Sequence, residues 1–170
     1  MLVNTPRWIV PLIAATVLTT CSVQRKTEKQ PEHMELGTTT RAAIETPQYP
    51  WFDTSYSVYQ PKSEMLEDMD AQLDSLSFLV VFGTWCSDSK REVPRFFKIL
   101  DRLKFPTDRI TMYGVDRSIK SPQGIPQQFH ITKVPTIVVL HGGTEIGRII
   151  ESPKTTLEFD LMEILSSIKH

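Results

Sequence analysis

Five apolar residues in succession, Phe78-Leu79-Val80-Val81-Phe82, constrain the fold of this chain more than any other feature. A strand with one wet face alternates apolar and polar residues, because successive side chains point to opposite sides. An unbroken run of this length, between Ser77 and Gly83, reads instead as a strand buried on both faces. Such a strand needs covering layers above and below it. The flanking periods supply candidates. Met65, Leu66, Met69 and Leu73 stand at helical spacing within Pro61–Asp74, and Val93, Phe96, Phe97, Leu100 and Leu103 recur at three- and four-residue steps. Ile110–Val115 reads as a second strand, Pro126–His130 as a short helix or turn, and Thr136–Leu140 as a β-branched strand. Glu145–Glu151 pairs with it through His141-Gly142-Gly143-Thr144, a hairpin signal, and Leu157, Leu161, Ile164, Leu165 and Ile168 make a closing amphipathic helix. This order predicts an α/β fold, a mixed central sheet with helices on both faces.

The first 21 residues are of another kind. Arg7 supplies a positive charge, and Trp8–Leu18 is a largely apolar run that contains Pro11 and Thr16. Eleven residues are too few for a helix to cross a bilayer core, which needs ~20, but they suit the central region of a secretory signal peptide. The run ends in Leu18-Thr19-Thr20-Cys21, which resembles the lipobox of bacterial lipoproteins, where cleavage leaves a lipidated cysteine as first residue. Thr20 departs from that pattern, which prefers glycine, alanine or serine before the cysteine. Residues 1–20 are therefore expected to be a lipoprotein-type signal peptide with Cys21 as the lipidation site. A non-lipidated signal peptide or a short N-terminal anchor is the other reading. The implied location is the cell envelope, facing the periplasm or held at the outer membrane by the N-terminal lipid.

Residues 21–47 are rich in Lys, Glu, Thr and Gln and poor in large apolar side chains, so they read as a flexible polar tether. From Tyr49 the composition changes: Tyr49, Trp51, Phe52, Tyr56 and Tyr59 fall within eleven residues. They are expected to pack against the edge of a domain covering residues 48–170. A formal net charge of −1 gives no broad attraction for nucleic acid, and none is expected as a partner.

The chain has two cysteines, Cys21 and Cys86. With Cys21 acylated, one thiol is left in an oxidising compartment, where it is either reactive or an intermolecular partner. Cys86 follows the buried strand and the turn Gly83-Thr84-Trp85, and opens the second helix. A helix start offers unpaired backbone N–H groups and the positive end of the helix dipole, surroundings that suit a thiolate, the attacking species.

Residues 78–151 resemble the thioredoxin superfamily in three features taken together. Trp85-Cys86 stands where the family has Trp-Cys-x-x-Cys, Pro94 lies eight residues after Cys86 where the family has a helix-kinking proline, and Val134-Pro135-Thr136 is similar to the family's cis-proline segment. The resemblance implies a thioredoxin-like fold with Cys86 as nucleophile and Trp85, Val134 and Pro135 at the partner-binding surface. It further implies a cis Val134–Pro135 bond, with the proline against the sulfur and the Val134 backbone free to pair with an extended strand.

The departures narrow the chemistry. The motif reads Cys86-Ser87-Asp88-Ser89, so Ser89 replaces the resolving cysteine and the protein cannot release a mixed disulfide alone. Ser89 either donates a hydrogen bond to the Cys86 thiolate or satisfies the helix start. Val80 occupies the position, six residues before the nucleophile, where the family often carries a buried acid. Asp88 opposes a nearby thiolate, and Lys90 and Arg91 either offset it or stand solvated. His130 and His141 have no clustering that suits a metal, and neither metal nor other cofactor is expected. The expected function is monothiol thiol–disulfide exchange, in shuffling or thiol protection rather than net oxidation or reduction, with a thiol- or disulfide-containing protein or a small thiol as partner. The alternative is a redox-inactive adaptor that binds extended peptides beside Pro135.

Overall fold

In the structure, a computed structural model that describes residues 33–70 and 73–168, the apolar run forms the body of β2 (Leu76–Phe82), the middle strand of a five-stranded sheet. β3 (Ile110–Gly114) lies parallel to it on one side and β4 (Thr136–His141) antiparallel on the other. β1 (Gly37–Thr39) and β5 (Thr144–Ile150) form the edges, each antiparallel to its neighbour, giving the order β1-β3-β2-β4-β5. Along β2 the pleat divides the run. Phe78, Val80 and Phe82 enter one core, and Leu79 and Val81 enter another on the opposite face.

The larger core is covered by α2 (Trp51–Val58), α3 (Ser63–Asp70), α4 (Ser87–Arg102) and α6 (Leu157–Leu165). They contribute Phe52, Met69, Phe96, Leu100 and Leu161, all buried. The smaller core holds Leu79, Val81, Val115, Ile131, Val134 and Val138, with Ile125 of α5 (Ile125–Gln128) and Phe129 against it. The fold is α/β, a mixed sheet with helices on both faces. Among the described residues no helix is long and apolar enough to cross a membrane.

Local chemistry sets the helix ends. α4 has Asp88 in its first turn and Arg102 in its last, each at the pole of the dipole that favours its charge. Pro94 inside α4 removes one intrahelical donor. At α6 the Thr156 side chain accepts the Phe159 N–H at 3.2 Å, the usual service of a threonine N-cap. The helix expected over Pro61–Asp74 is shorter, ending at Asp70 and followed by a 3₁₀ turn at Leu73–Ser75.

The domain begins earlier than its composition suggests. The polar stretch 21–47 predicts a tether, yet residues 37–47 belong to the folded unit. Gly37–Thr39 pairs with β3, and α1 (Arg41–Ile44) buries Ile44 completely. Arg41 binds both carboxylate oxygens of Asp101 at 2.8 Å and lies over the rings of Phe52, Tyr56 and Phe97. An edge strand is held by main-chain hydrogen bonds, and an arginine stem covers apolar surface as a hydrocarbon does, so low hydropathy does not exclude order. Residues 21–32 of the expected tether, Cys21 itself and the signal-peptide segment 1–20 lie outside the described residues.

Two tyrosine hydroxyls, Tyr49 on a buried residue and Tyr59 on a half-buried one, bind carboxylates. Tyr49 donates to Glu35 at 3.0 Å, and Tyr59 reaches both oxygens of Glu158 at 2.9 Å. Burial first, and then the neighbouring carboxylate, raises both phenol pKa values above the ordinary value of 10.0. The unfolded chain releases these protons near pH ~10 and the folded chain only above it, so their contribution is intact below that pH and is lost as pH rises further. The urea midpoint is expected to hold steady up to about pH 9 and to fall above about pH 10, less steeply in Tyr59→Phe. Equal alkaline slopes for the two proteins would remove Tyr59 from this account.

Candidate functional site

β2 delivers the chain to the turn Gly83–Cys86, and α4 carries it away. The Cys86 N–H donates to the Gly83 carbonyl at 2.9 Å, and the Cys86 carbonyl accepts from the Lys90 N–H at 3.0 Å, which makes Cys86 the N-cap of α4. Its backbone is extended, with φ −84° and ψ 128°. The thiol is free and half-buried. Its S–H donates to the carbonyl oxygen of Val134 at 3.1 Å, across a sequence separation of 48 residues. The Val134–Pro135 peptide bond is cis. The Thr136 hydroxyl closes this loop on the Lys133 carbonyl at 2.7 Å. Trp85 turns its indole N–H to the Val115 carbonyl at 2.9 Å, and the Arg117 guanidinium lies 5.1 Å from its ring centroid.

Trp85, Cys86 and Val134 thus pack in one cluster, and Pro135 follows Val134 through the cis bond. Two details differ from expectation. The Val134 carbonyl is occupied by the thiol rather than open to a partner strand. Ser89, fully buried in the first turn of α4, accepts the Gly83 N–H on its hydroxyl oxygen at 3.2 Å. That bond ties turn to helix, a role different from both the thiolate donor and the helix-start cap. Val80 is fully buried in β2.

The charges around the thiol are largely paired. Arg91 holds Asp88 at 2.7 Å, the Ser152 hydroxyl at 2.7 Å, and Glu92, so Asp88 does not face the sulfur as an unbalanced anion. Lys133 pairs with Glu151 at 2.7 Å, and the Glu151 N–H donates to the Pro135 carbonyl at 2.7 Å. Glu151 adopts φ +61°, a left-handed backbone uncommon for a residue with a side chain. Among the described residues no group of three or more His, Cys, Asp or Glu side chains could hold a metal ion.

Sequence reasoning missed two features. Glu92 is buried against Arg91 and Arg95, and the signal was available: Ser89 and Glu92 extend the stripe Val93, Phe96, Phe97, Leu100 backwards by helical steps. Thr84, only 2% exposed although it sits in a turn, has no such signal. Its partner is the His33 carbonyl, 51 residues away.

No protein-family model matches the chain. Over 77 residues it is 26% identical to a thioredoxin of Echinococcus granulosus, a match that covers 45% of this chain and 66% of that relative's length. Among solved structures, a Pseudomonas aeruginosa protein of unknown function is 17% identical over 69% of this chain and 78% of its own, with a TM-score of 0.45. Thioredoxin O2 of Arabidopsis thaliana, solved in its oxidised state, is 16% identical over 64% of this chain and 86% of its own, with a TM-score of 0.38. The sequence match supports thioredoxin-like homology, and the fold itself rests on the strand order and register given above.

Proposed function

We propose that the protein performs monothiol thiol–disulfide exchange at the cell envelope, with Cys86 as nucleophile. One observation carries this reading: the N-cap residue of α4 bears a free, half-buried thiol that donates to the Val134 carbonyl of the cis-proline loop. The Cys86 thiolate attacks one sulfur of a partner disulfide. That S–S bond breaks, a Cys86–partner disulfide forms, and the partner's second sulfur leaves as a thiolate that takes up a proton. Ser89 has no sulfur to reverse the attack, so a thiol from a small molecule or a second protein does so. It takes over the partner's sulfur as a new disulfide and returns Cys86 as thiolate.

The Val134 carbonyl fits this sequence. The reduced thiol occupies it with an S–H donor, and deprotonation or disulfide formation removes that donor. The carbonyl is then available to an N–H of the captured partner, as in strand addition. Attachment at Cys21 through a lipid would confine the reaction to the membrane surface. Two acyl chains suffice for stable anchoring, each buried CH₂ contributing about 0.8 kcal/mol.

The test uses a chromogenic aromatic disulfide as reporter. Wild type is expected to release one equivalent of aryl thiol per Cys86 and to keep a mass adduct on the peptide containing Cys86 until glutathione is added. Catalytic release without an added thiol, or no adduct, contradicts the monothiol reading. In cells, acyl labelling is expected for wild type and lost in Cys21→Ala, and an unlabelled wild type would remove the lipid while leaving the exchange chemistry open.

A further inference from the structure

We propose that Thr84 is a positioning residue for Cys86, held from outside the sheet by the segment His33–Leu36. β1 runs antiparallel to β3, so the chain preceding Gly37 continues past Gly114 towards the C-terminal ends of β2 and β3, where the Cys86 turn lies. This strap is fixed at several points before it reaches the turn. The Tyr49 hydroxyl, on a side chain only 5% exposed, donates to Glu35 at 3.0 Å and stands 2.8 Å from His33 Nδ1. The strap also passes so close over Gly114 that a Cβ there would lie 2.1 Å from the Glu35 carbonyl oxygen. At its far end the His33 carbonyl accepts the Thr84 hydroxyl at 3.2 Å.

The other fastenings of the turn act on its neighbours. Gly83 is held by Ser89, Cys86 by the Gly83 carbonyl, and Trp85 by Val115. The Thr84 hydroxyl joins this turn to the strap, two residues from the nucleophile. Displacement at sulfur needs the attacking and leaving atoms in line, and a misplacement of about 1 Å can cost on the order of 10²-fold in rate. The strap therefore contributes to the aim of the sulfur without touching it.

The consequence for exchange rests on the function proposed above, whereas alkylation reports sulfur placement without any exchange. The full-length chain is treated with iodoacetamide and, separately, with the reporter disulfide, and modification of the Cys86 peptide is followed by mass spectrometry. Thr84→Val is expected to lower both rate constants about tenfold, within the range such misplacement produces. Thr84→Ser keeps the hydroxyl and is expected to stay within about twofold of wild type. Gly114→Ala, which crowds the strap and leaves Thr84 intact, is expected to follow Thr84→Val. If Thr84→Val does not fold, Tyr49→Phe loosens the strap instead and is expected to slow alkylation. Wild-type rates in folded Thr84→Val, or in Tyr49→Phe where that variant replaces it, overturn the inference. So does a loss in Thr84→Ser equal to that in Thr84→Val. Normal alkylation of wild type with no reaction towards the disulfide removes the exchange reading and leaves the positioning inference to be judged on alkylation alone.

Discussion

Cys86→Ser is expected to capture no partner as a mixed disulfide, whereas Ser89→Cys is expected to form such adducts and lose them at once. The first outcome follows from chemistry. The chain's cysteines are Cys21 and Cys86; if Cys21 carries the lipid proposed above, Cys86 is the one thiol left, and a serine hydroxyl does not displace sulfur from a disulfide under ordinary conditions. The second follows from geometry. Residues three apart at a helix start have Cα atoms about 5 Å apart, and disulfides span Cα separations of about 4.4–6.8 Å. A thiol at position 89 therefore stands beside the adduct at a high effective concentration. It can expel the partner as its thiolate, leaving a disulfide between positions 86 and 89. Replacing the Ser89 oxygen also weakens the bond from the Gly83 N–H, since sulfur is the poorer acceptor, at a cost of about 1–3 kcal/mol if the donor is left bare. That loss lies within the stability of an ordinary domain. Non-reducing electrophoresis of alkylation-quenched envelope extracts separates the three proteins: discrete adducts for wild type, none for Cys86→Ser, and an oxidised monomer for Ser89→Cys. Adducts of equal intensity in wild type and Cys86→Ser would run through Cys21 and remove Cys86 as the nucleophile, whereas no adducts in either protein would leave the adaptor reading. Persistent adducts in Ser89→Cys would show that position 89 does not face the captured sulfur.

Phe96→Ala is expected to be among the most destabilising single changes in the domain. Phe96 is fully buried on the face of α4 that meets the sheet. Its ring lies edge-on to Phe78 of β2, with centroids 5.1 Å apart, and 6.1 Å from Phe97. Truncation removes the transfer energy of the ring and leaves a cavity that helix and sheet relax into only partly, at a cost of about 3–5 kcal/mol. Domains of this size have about 5–15 kcal/mol in total, so the melting temperature is expected to fall by roughly 10–20 °C. The consequence reaches the site. α4 starts at the thiol and is anchored to β2 through Phe96, so loosening the anchor also loosens the placement of Cys86. Urea and thermal unfolding measure the loss, and a change below about 1 kcal/mol would show that the contact between α4 and β2 is not the main tie.

The residues along the chain fall into two groups by what made them legible. β2, the stripe of α4 and the hairpin of β4 and β5 are encoded in neighbours: apolar runs of period one, two or 3.6 report burial because side-chain direction repeats with the backbone. The placement of Cys86 at a helix start follows from the same local pattern. Other features depend on groups far apart in sequence. Gly37–Thr39 is a strand because β3 offers it main-chain donors and acceptors, which no hydropathy profile records. Ser89 turns to Gly83, the Cys86 thiol to Val134, and Thr84 to His33, each choosing among partners that the assembled sheet brings within reach. Local pattern was enough to show a buried strand leading a thiol onto a helix. The resemblance pointed to the Val134–Pro135 loop beside that thiol, but which atom the thiol bonds came from the assembled fold, because a hydrogen bond is specified by position in space and the residues that supply its two ends carry no mark of each other.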